Sequence, residues 1–511
     1  MKKVLALVIV SMLFVSAFSG CGPSKKASSK GDDENKQVTL KWVMPGPGKQ
    51  QDSEMVWEEF NEKLKSYLPN TKVEIECYPV SNYADKWKLM AASSEKIDIA
   101  WTGYLLPVVE EQRRGAYLAL NDLLDKFGQD AKAEIPDTLF KMATIDNKIY
   151  CMPSYQMMPE VFWGLRIPKK LVTKYNIDTK KIADVFQKYD TITPECFDVL
   201  EPYLKAIKDG GDIGMGVGIG SFDFLGGKGF ENIVSPYVIS RYDDQRKVML
   251  NSAVPQRILL YQKYAEWFKK GYIRQDALSV QNLRQDEGKE NGYIMWVHNY
   301  DKSTALSESK RYGFDIEVIP LAKKPYIPSG VANGNAIART SENPERAMKL
   351  LNLLYSNKGK ELYNLLYLGI EGTHYKPVSE NRVESLTFNG QSSSSSKYGL
   401  WKWVLGNTFL AKEIQSDMPS YNDYIKNEFN PSADISPLIG FVPNTDKIKT
   451  QLAQVRAVQK EFSQVLLTGA VDNYEVKYKE MLDKVKLAGS DEIVNELQKQ
   501  LDEWAKTNIN K

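Results

Sequence analysis

The stretch Val38-Thr39-Leu40-Lys41-Trp42-Val43-Met44-Pro45-Gly46-Pro47-Gly48 decides the architecture, because the residues after it repeat the same alternation of element types. Val38, Leu40, Trp42 and Met44 alternate with Thr39, Lys41 and Val43, which reads as a strand ended by the Pro-Gly pairs. Asp52 then stands where a helix cap belongs, and Val56, Phe60 and Leu64 recur at helical spacing until Pro69-Asn70. Val73, Ile75 and Cys77 mark a second strand and Tyr83 to Ala92 a second helix. Ile97-Asp98-Ile99-Ala100-Trp101 is a short buried strand entering the loop Thr102-Gly103-Tyr104. This β-α-β-α-β run predicts an α/β fold with a largely parallel sheet covered by helices. Ligands of such sheets sit beyond the strand carboxyl ends, where Met44–Gly48 and Trp101–Tyr104 fall.

Upstream, Lys2-Lys3 precedes an apolar run from Val4 to Phe18, interrupted by Ser11 and Ser16 and followed by Ser19-Gly20-Cys21. A basic start, a short apolar run and small residues at the cut form an export signal, here residues 1–20. Phe18-Ser19-Gly20-Cys21 resembles the bacterial lipobox, in which the cysteine is acylated and becomes the new N-terminus. Each buried methylene contributes about 0.8 kcal/mol to membrane anchoring, so Cys21 is expected to hold the protein to the outer face of the membrane. Residues 21–37 lack any apolar side chain larger than Ala27 or Pro23 and read as a disordered tether.

Downstream, Asp146 to Gln156 reads as a tight turn, a short strand and an exit through Pro153, a hinge in the making. Thr193-Pro194 opens a helix whose face carries Phe197, Leu200, Leu204 and Ile207, ending at Gly210-Gly211. Asn343-Pro344 opens another, with Ala347, Leu350, Leu351 and Leu354 inward. Ser392 to Ser396 is a solvated loop. Three amphipathic helices then follow: Ile448-Leu452-Val455-Phe462-Leu466, Tyr474-Tyr478-Met481-Val485 and Val494-Leu497-Leu501-Trp504.

Without residues 1–20 the chain carries 65 Lys+Arg against 65 Asp+Glu, so no field for nucleic acid is implied. Its length predicts two or three domains. Cys77, Cys151 and Cys196 are too few and too dispersed for a disulfide scaffold; one bridge and three buried free thiols both remain open. Only two histidines are present, with no HExxH, no paired CxxC and no carboxylate pair at telling spacing. No metal, cofactor or catalytic residue is called for. Gly214 to Gly220 lacks the GxGxxG spacing, and Gly226-Gly227-Lys228-Gly229 lacks the phosphate-loop frame.

Aromatic residues do stand out near predicted loop junctions: Trp42, Trp101, Tyr104, Tyr155, Trp163, Trp296, Tyr300, Tyr375, Trp401 and Trp403. Flat rings stack on the apolar faces of sugar rings, and a few placed polar groups take the hydroxyls. Core packing is the alternative for each of them.

Lipobox, tether, Leu40–Gly48, Ile97–Gly103, Asn147–Pro153 and Asn343–Tyr355, in that order, resemble the family 1 extracellular solute-binding proteins of ABC importers, relatives of maltose-binding protein. Leu368-Gly369-Ile370-Glu371-Gly372-Thr373-His374-Tyr375 resembles the GIEG-x-HY segment of a Gram-positive lipoprotein subgroup with an extra C-terminal helical domain. The resemblance implies two α/β lobes that close on a ligand in the cleft between them. It assigns 38–156 with 331–368 to lobe one, 157–330 with 369–430 to lobe two, and 431–511 to the helical extension. It further implies ligand contacts from Trp101, Thr102, Tyr155, Gln156 and Asn333, and across the cleft from Trp163, Arg166, Trp296, His298, Asn299, Glu371, His374, Tyr375 and Trp401.

The function so implied is capture of a carbohydrate, chiefly an oligosaccharide, by a monomeric lipid-anchored receptor that delivers it to ABC permease subunits without reaction. A sensory subunit for a receptor kinase would share the same sequence features, and a surface polysaccharide-active enzyme is the other alternative. The enzyme would need two carboxylates facing each other about 5–9.5 Å apart.

Overall fold

The computed structural model describes residues 33–159, 164–215, 228–279, 292–297, 300–330, 333–388 and 392–509. The export signal, Cys21 and most of the tether lie outside them, as do Trp163, His298, Asn299 and the glycine run from Gly216 to Gly220.

The first strands and helices form where the periodicity puts them. Strand β1 (Val38–Gly46), helix α1 (Ser53–Tyr67), strand β2 (Thr71–Pro79), helix α2 (Val80–Ala92) and strand β3 (Ile99–Gly103) alternate, with β1 parallel to both β2 and β3. Val56, Phe60 and Leu64 are fully buried beneath α1, each stabilising the lobe by about 1.5–3 kcal/mol. Asp52 precedes α1 but makes no side-chain capping bond; its carboxylate is turned toward His374 instead.

The sheet of lobe one is completed from far along the chain. Its order is β2, β1, β3, Asn333–Ile337, Met152–Pro153. The strand Asn333–Ile337 returns antiparallel to β3, with Gly334 opposite Thr102, and antiparallel to Met152–Pro153 on its other side. The two crossings between the lobes therefore begin side by side. Before the first crossing, Asp146 and Asn147 take φ of 48° and 62° in the turn joining Thr144–Ile145 to Lys148–Ile149. Asn and Asp tolerate this left-handed conformation, so the glycine usual in such a turn is dispensable.

Lobe two carries a four-stranded sheet in the order Ile316–Pro320, Gly164–Pro168, Gly292–Val297, Ile213–Met215. The single helix expected after Thr193 is two helices, Pro194–Asp198 and Glu201–Asp209. Pro202 explains the break, because its ring cannot sit in a helix interior but fits a first turn.

Two boundaries differ from the sequence assignment. Tyr375, Val383, Tyr398, Leu400, Val404, Leu405, Leu410 and Ile414 are buried in the core of lobe one, so the described residues of 369–414 belong with that lobe and not with lobe two. Only farther on do Ile425 and Phe429 pack with Met157, Tyr300 and Ala322 at the crossing. The C-terminal helices Lys449–Thr468, Tyr474–Leu487 and Ser490–Asn508 form as expected, but they do not stand apart. Leu452, Val455, Phe462, Leu466, Met481, Val485, Leu497 and Leu501 share one core with Tyr261, Tyr264 and Trp267 of lobe two. Gly469 makes this possible: with φ of 70°, a Cβ there would lie 2.1 Å from the Tyr264 carbonyl oxygen.

Cys77, Cys151 and Cys196 are all free and buried. Burial pushes the thiols of Cys77 and Cys151 up to about 12 and raises that of Cys196.

At the centre of lobe one lies Asn335, fully buried. Trp42 Nε1 donates to its Oδ1 at 3.1 Å, while its amide donates to the Tyr355 hydroxyl at 3.2 Å and the Val404 carbonyl at 3.0 Å. Tyr355 in turn donates to the Met152 carbonyl at 2.7 Å. Asn335→Leu strands the buried Trp42 donor and the Val404 acceptor, so urea unfolding should show a loss of about 2–4 kcal/mol. A loss under 1 kcal/mol would refute this role.

Candidate ligand-binding site

The carboxyl end of β3 delivers Trp101 and then Tyr104 to one edge of lobe one, and the segment 401–403 brings two more indoles against them. Trp101 contacts Tyr104 and Trp403 edge to face, each at 5.7 Å between ring centroids. Trp403 stacks on Trp401 at 5.3 Å with 26° between planes, and Tyr104 meets Trp403 at 6.1 Å. Trp101 is completely buried and forms the floor, held from behind by Tyr83, whose hydroxyl donates to the Trp101 carbonyl at 2.7 Å. Tyr104 is 62 % exposed, and Trp401 and Trp403 are half-buried. A rigid core-anchored base thus carries three rings that solvent reaches, an arrangement suited to stacking on a flat apolar face.

Polar groups sit at the rim. Asn333 lies opposite Gly103 in the sheet register, and its side-chain oxygen is buried without a hydrogen-bond partner among the described residues. A buried acceptor left unsatisfied costs about 1–3 kcal/mol, which a donating hydroxyl would recover. The backbone here is tightly held: Ser154 N–H donates to the Asn333 carbonyl at 2.9 Å and Ser154 Oγ to the Trp403 carbonyl at 3.1 Å. Tyr155 packs edge to face on Phe409 at 4.6 Å, with the Lys426 ammonium 5.9 Å from the Tyr155 ring. Thr408 donates to the Tyr155 carbonyl through both its N–H and its hydroxyl. Gln156 is half-buried beside it, its carbonyl accepting from the Asn430 amide at 2.9 Å.

Trp101, Asn333 and Trp401 therefore come together, and Tyr155 and Gln156 lie at the adjoining crossing. Trp403, which the aromatic pattern singled out without assigning it a ligand, joins the platform; only the fold of 369–414 onto lobe one reveals it. Other expected contacts are otherwise engaged. Thr102 is buried and donates to the Leu106 carbonyl at 2.6 Å, closing a turn. Arg166 is buried against Glu308 at 3.1 Å and over the Tyr312 ring at 4.3 Å, so it stabilises lobe two internally. For Trp296 only the backbone is described, paired with Leu165 in the lobe-two sheet, so its expected ligand contact lies outside the described residues.

The segment from Glu371 to Tyr375 is a structural clasp. Helix Lys360–Leu368 ends at Gly369 with φ of 86°, and the His374 ring lies directly on that glycine, where a Cβ would meet it at 2.7 Å. His374 is completely buried. Its Nδ1 accepts from the Ile370 N–H at 3.0 Å, which assigns the proton to Nε2, and Nε2 then donates to Asp52 Oδ2 at 3.2 Å. Tyr375 is buried as well, its phenol raised by burial and the neighbouring Glu371 carboxylate, while Glu371 itself is exposed. Next to this clasp, Gln50 donates to Ser392 Oγ and accepts from the Gly399 N–H, and Trp401 Nε1 donates to the Ser392 carbonyl. Ser392 is accordingly buried, while Ser393, Ser394 and Ser395 are solvated as expected.

The model of the bacterial extracellular solute-binding protein family matches residues 50–361, more than half of the chain, and the chain belongs to that family. A second model, for a domain of unknown function (DUF3502), matches residues 437–506. A carbohydrate ABC transporter substrate-binding protein of Streptococcus pneumoniae serotype 4 is 26% identical over 497 residues, spanning 95% of this chain and 94% of the relative. The crystal structure of the N-glycan transport solute binding protein (NgtS) from Streptococcus pneumoniae has a TM-score of 0.76 at 25% identity, covering 92% of this chain and 99% of that one. An extracellular solute-binding protein from Bifidobacterium longum subsp. infantis, at 15% identity, has a TM-score of 0.63 and covers 91% of this chain and 98% of that one. Both share the two-lobe fold.

His374 serves the clasp through both ring nitrogens and takes no part in the platform. His374→Ala should lower stability by about 2–4 kcal/mol in urea unfolding, by leaving Asp52 and the Ile370 N–H without their partner. The affinity of the folded fraction for any ligand should stay within about twofold, a shift of under 0.5 kcal/mol. A specific loss of affinity at unchanged stability would restore His374 as a contact.

Proposed function

We propose that this protein captures an oligosaccharide between its lobes and delivers it to the permease subunits of an ABC importer. The observation that carries the reading is the platform of Tyr104, Trp401 and Trp403 over Trp101, beside the Asn333 oxygen, which has no partner among the described residues. Its rings match pyranose faces, and its free acceptor matches a hydroxyl. The relatives support the same class, one of them being a carbohydrate ABC transporter substrate-binding protein. The two crossings, held together at Asn333–Ile337 and Met152–Pro153, serve as the hinge on which the lobes close, and the sugar leaves unchanged. The protein acts as a monomer.

Binding to a panel of neutral oligosaccharides by calorimetry should find at least one ligand in the micromolar range or tighter. Trp403→Ala should weaken it by about tenfold or more, since loss of a stacking face costs about 0.5–1.5 kcal/mol beyond the apolar area it covered. Saturable binding that ignores Trp403→Ala, or turnover of the glycan, would overturn the reading.

Cys21 carries the lipid that holds the protein on the extracellular face of the membrane, with the residues after it as tether. Cys21→Ala should shift the protein from the membrane fraction to the medium in the producing cell. Retention of the variant on the membrane would refute the anchor.

A further inference from the structure

Lobe two contains a pocket of about 130 Å³ that shares no residue with the aromatic platform. Its cations are Lys228, Arg241, Lys323 and Lys324, against two acids, Asp190 and Asp434. Tyr189, Tyr242 and Tyr326 supply its rings.

Arg241 is the unusual member. Its guanidinium lies over the Tyr326 ring at 3.9 Å from the centroid, and its Nε is buried without a hydrogen-bond partner among the described residues. Glu231, the nearby buried carboxylate, is otherwise occupied. It accepts from the Tyr326 hydroxyl at 2.5 Å, the Ser329 N–H at 2.8 Å and Ser436 Oγ at 2.7 Å. That carboxylate therefore fixes the ring on which Arg241 rests, while no described residue accepts from the guanidinium Nε. Among the described residues neither Arg241 nor Lys228 has a carboxylate within ion-pair distance; Lys228 donates only to the Tyr189 carbonyl. Two neighbouring half-buried cations, neither in a direct ion pair among the described residues, form an arrangement that an entering anion stabilises.

The chemistry of the lining narrows the anion. A planar guanidinium fork recognises a carboxylate or a phosphate bidentately. Asp434 is held by Lys324 at 3.2 Å, which leaves the Asp190 carboxylate of the lining as an acceptor for a ligand hydroxyl. Tyrosine walls favour a ring over a bare ion. We propose that this pocket is a second binding site, taking the monocarboxylate of an acidic sugar with Arg241 as the bidentate anchor and Lys228 and Lys323 as flanking charges.

Calorimetry of the purified protein with sodium glucuronate, glucose and inorganic phosphate tests it. Glucuronate should bind with one-to-one stoichiometry, glucose should not compete, and Arg241→Gln should weaken glucuronate by about tenfold or more. Binding should persist in Trp403→Ala, which separates this pocket from the platform. Should Arg241→Gln fail to fold, the exposed Lys323→Glu decides instead: several-fold weakening supports the site and unchanged affinity overturns it. Absence of glucuronate binding, binding of phosphate alone, equal affinity in folded Arg241→Gln, or loss in Trp403→Ala would each overturn the proposal.

Discussion

The need to satisfy one buried amide organises lobe one. Asn335 meets Trp42 from β1, Tyr355 from the helix Pro344–Tyr355 and the carbonyl of Val404, three chain segments that are far apart in sequence. Those bonds form only when the strand Asn333–Ile337 lies between β3 and Met152–Pro153. A buried polar group without its partners is costly, and a network with all of them rigidifies its surroundings. Both lobe crossings are thereby seated in one sheet, and Ser154, Tyr155 and Asn333 reach the same edge as the carboxyl end of β3.

The second consequence is the route of residues 369–414. His374 donates to Asp52 at the start of α1, and Gln50 joins Ser392 and Gly399 nearby. These ties keep the chain on lobe one long enough to lay Trp401 and Trp403 against Trp101. The segment from Glu371 to Tyr375 serves binding indirectly, by holding a clasp at one side of the platform. A histidine with both ring nitrogens bonded inside the protein has nothing left to offer a ligand.

Lobe two depends on its C-terminal helices in the same way that lobe one depends on its returning strand. Tyr237 bonds Ser490 at 2.9 Å, and the Val248 N–H donates to Gln498 at 2.8 Å, across some 250 residues. Phe462, Leu466 and Leu497 fill the same core as Tyr264 and Trp267. The matched domain of unknown function thus contributes structure to the lobe it adjoins. Its removal would expose that core.

Local pattern was enough to place β1, α1, β2, α2 and β3, the Asp146-Asn147 turn and the three terminal helices, because each follows from hydrophobic period and turn chemistry within a few residues. The aromatic character of the site was legible for the same reason: Trp101, Trp401 and Trp403 are visible as residue types wherever they pack. What the tertiary structure alone decided is which lobe holds residues 369–414, that Asp52 serves His374 instead of a helix end, that Arg166 pairs with Glu308, and that Trp403 joins Trp101 while His374 is sealed away. Each of these turns on a contact between residues far apart in sequence, where burial and the satisfaction of polar groups choose the partner, and no periodicity along the chain encodes that choice.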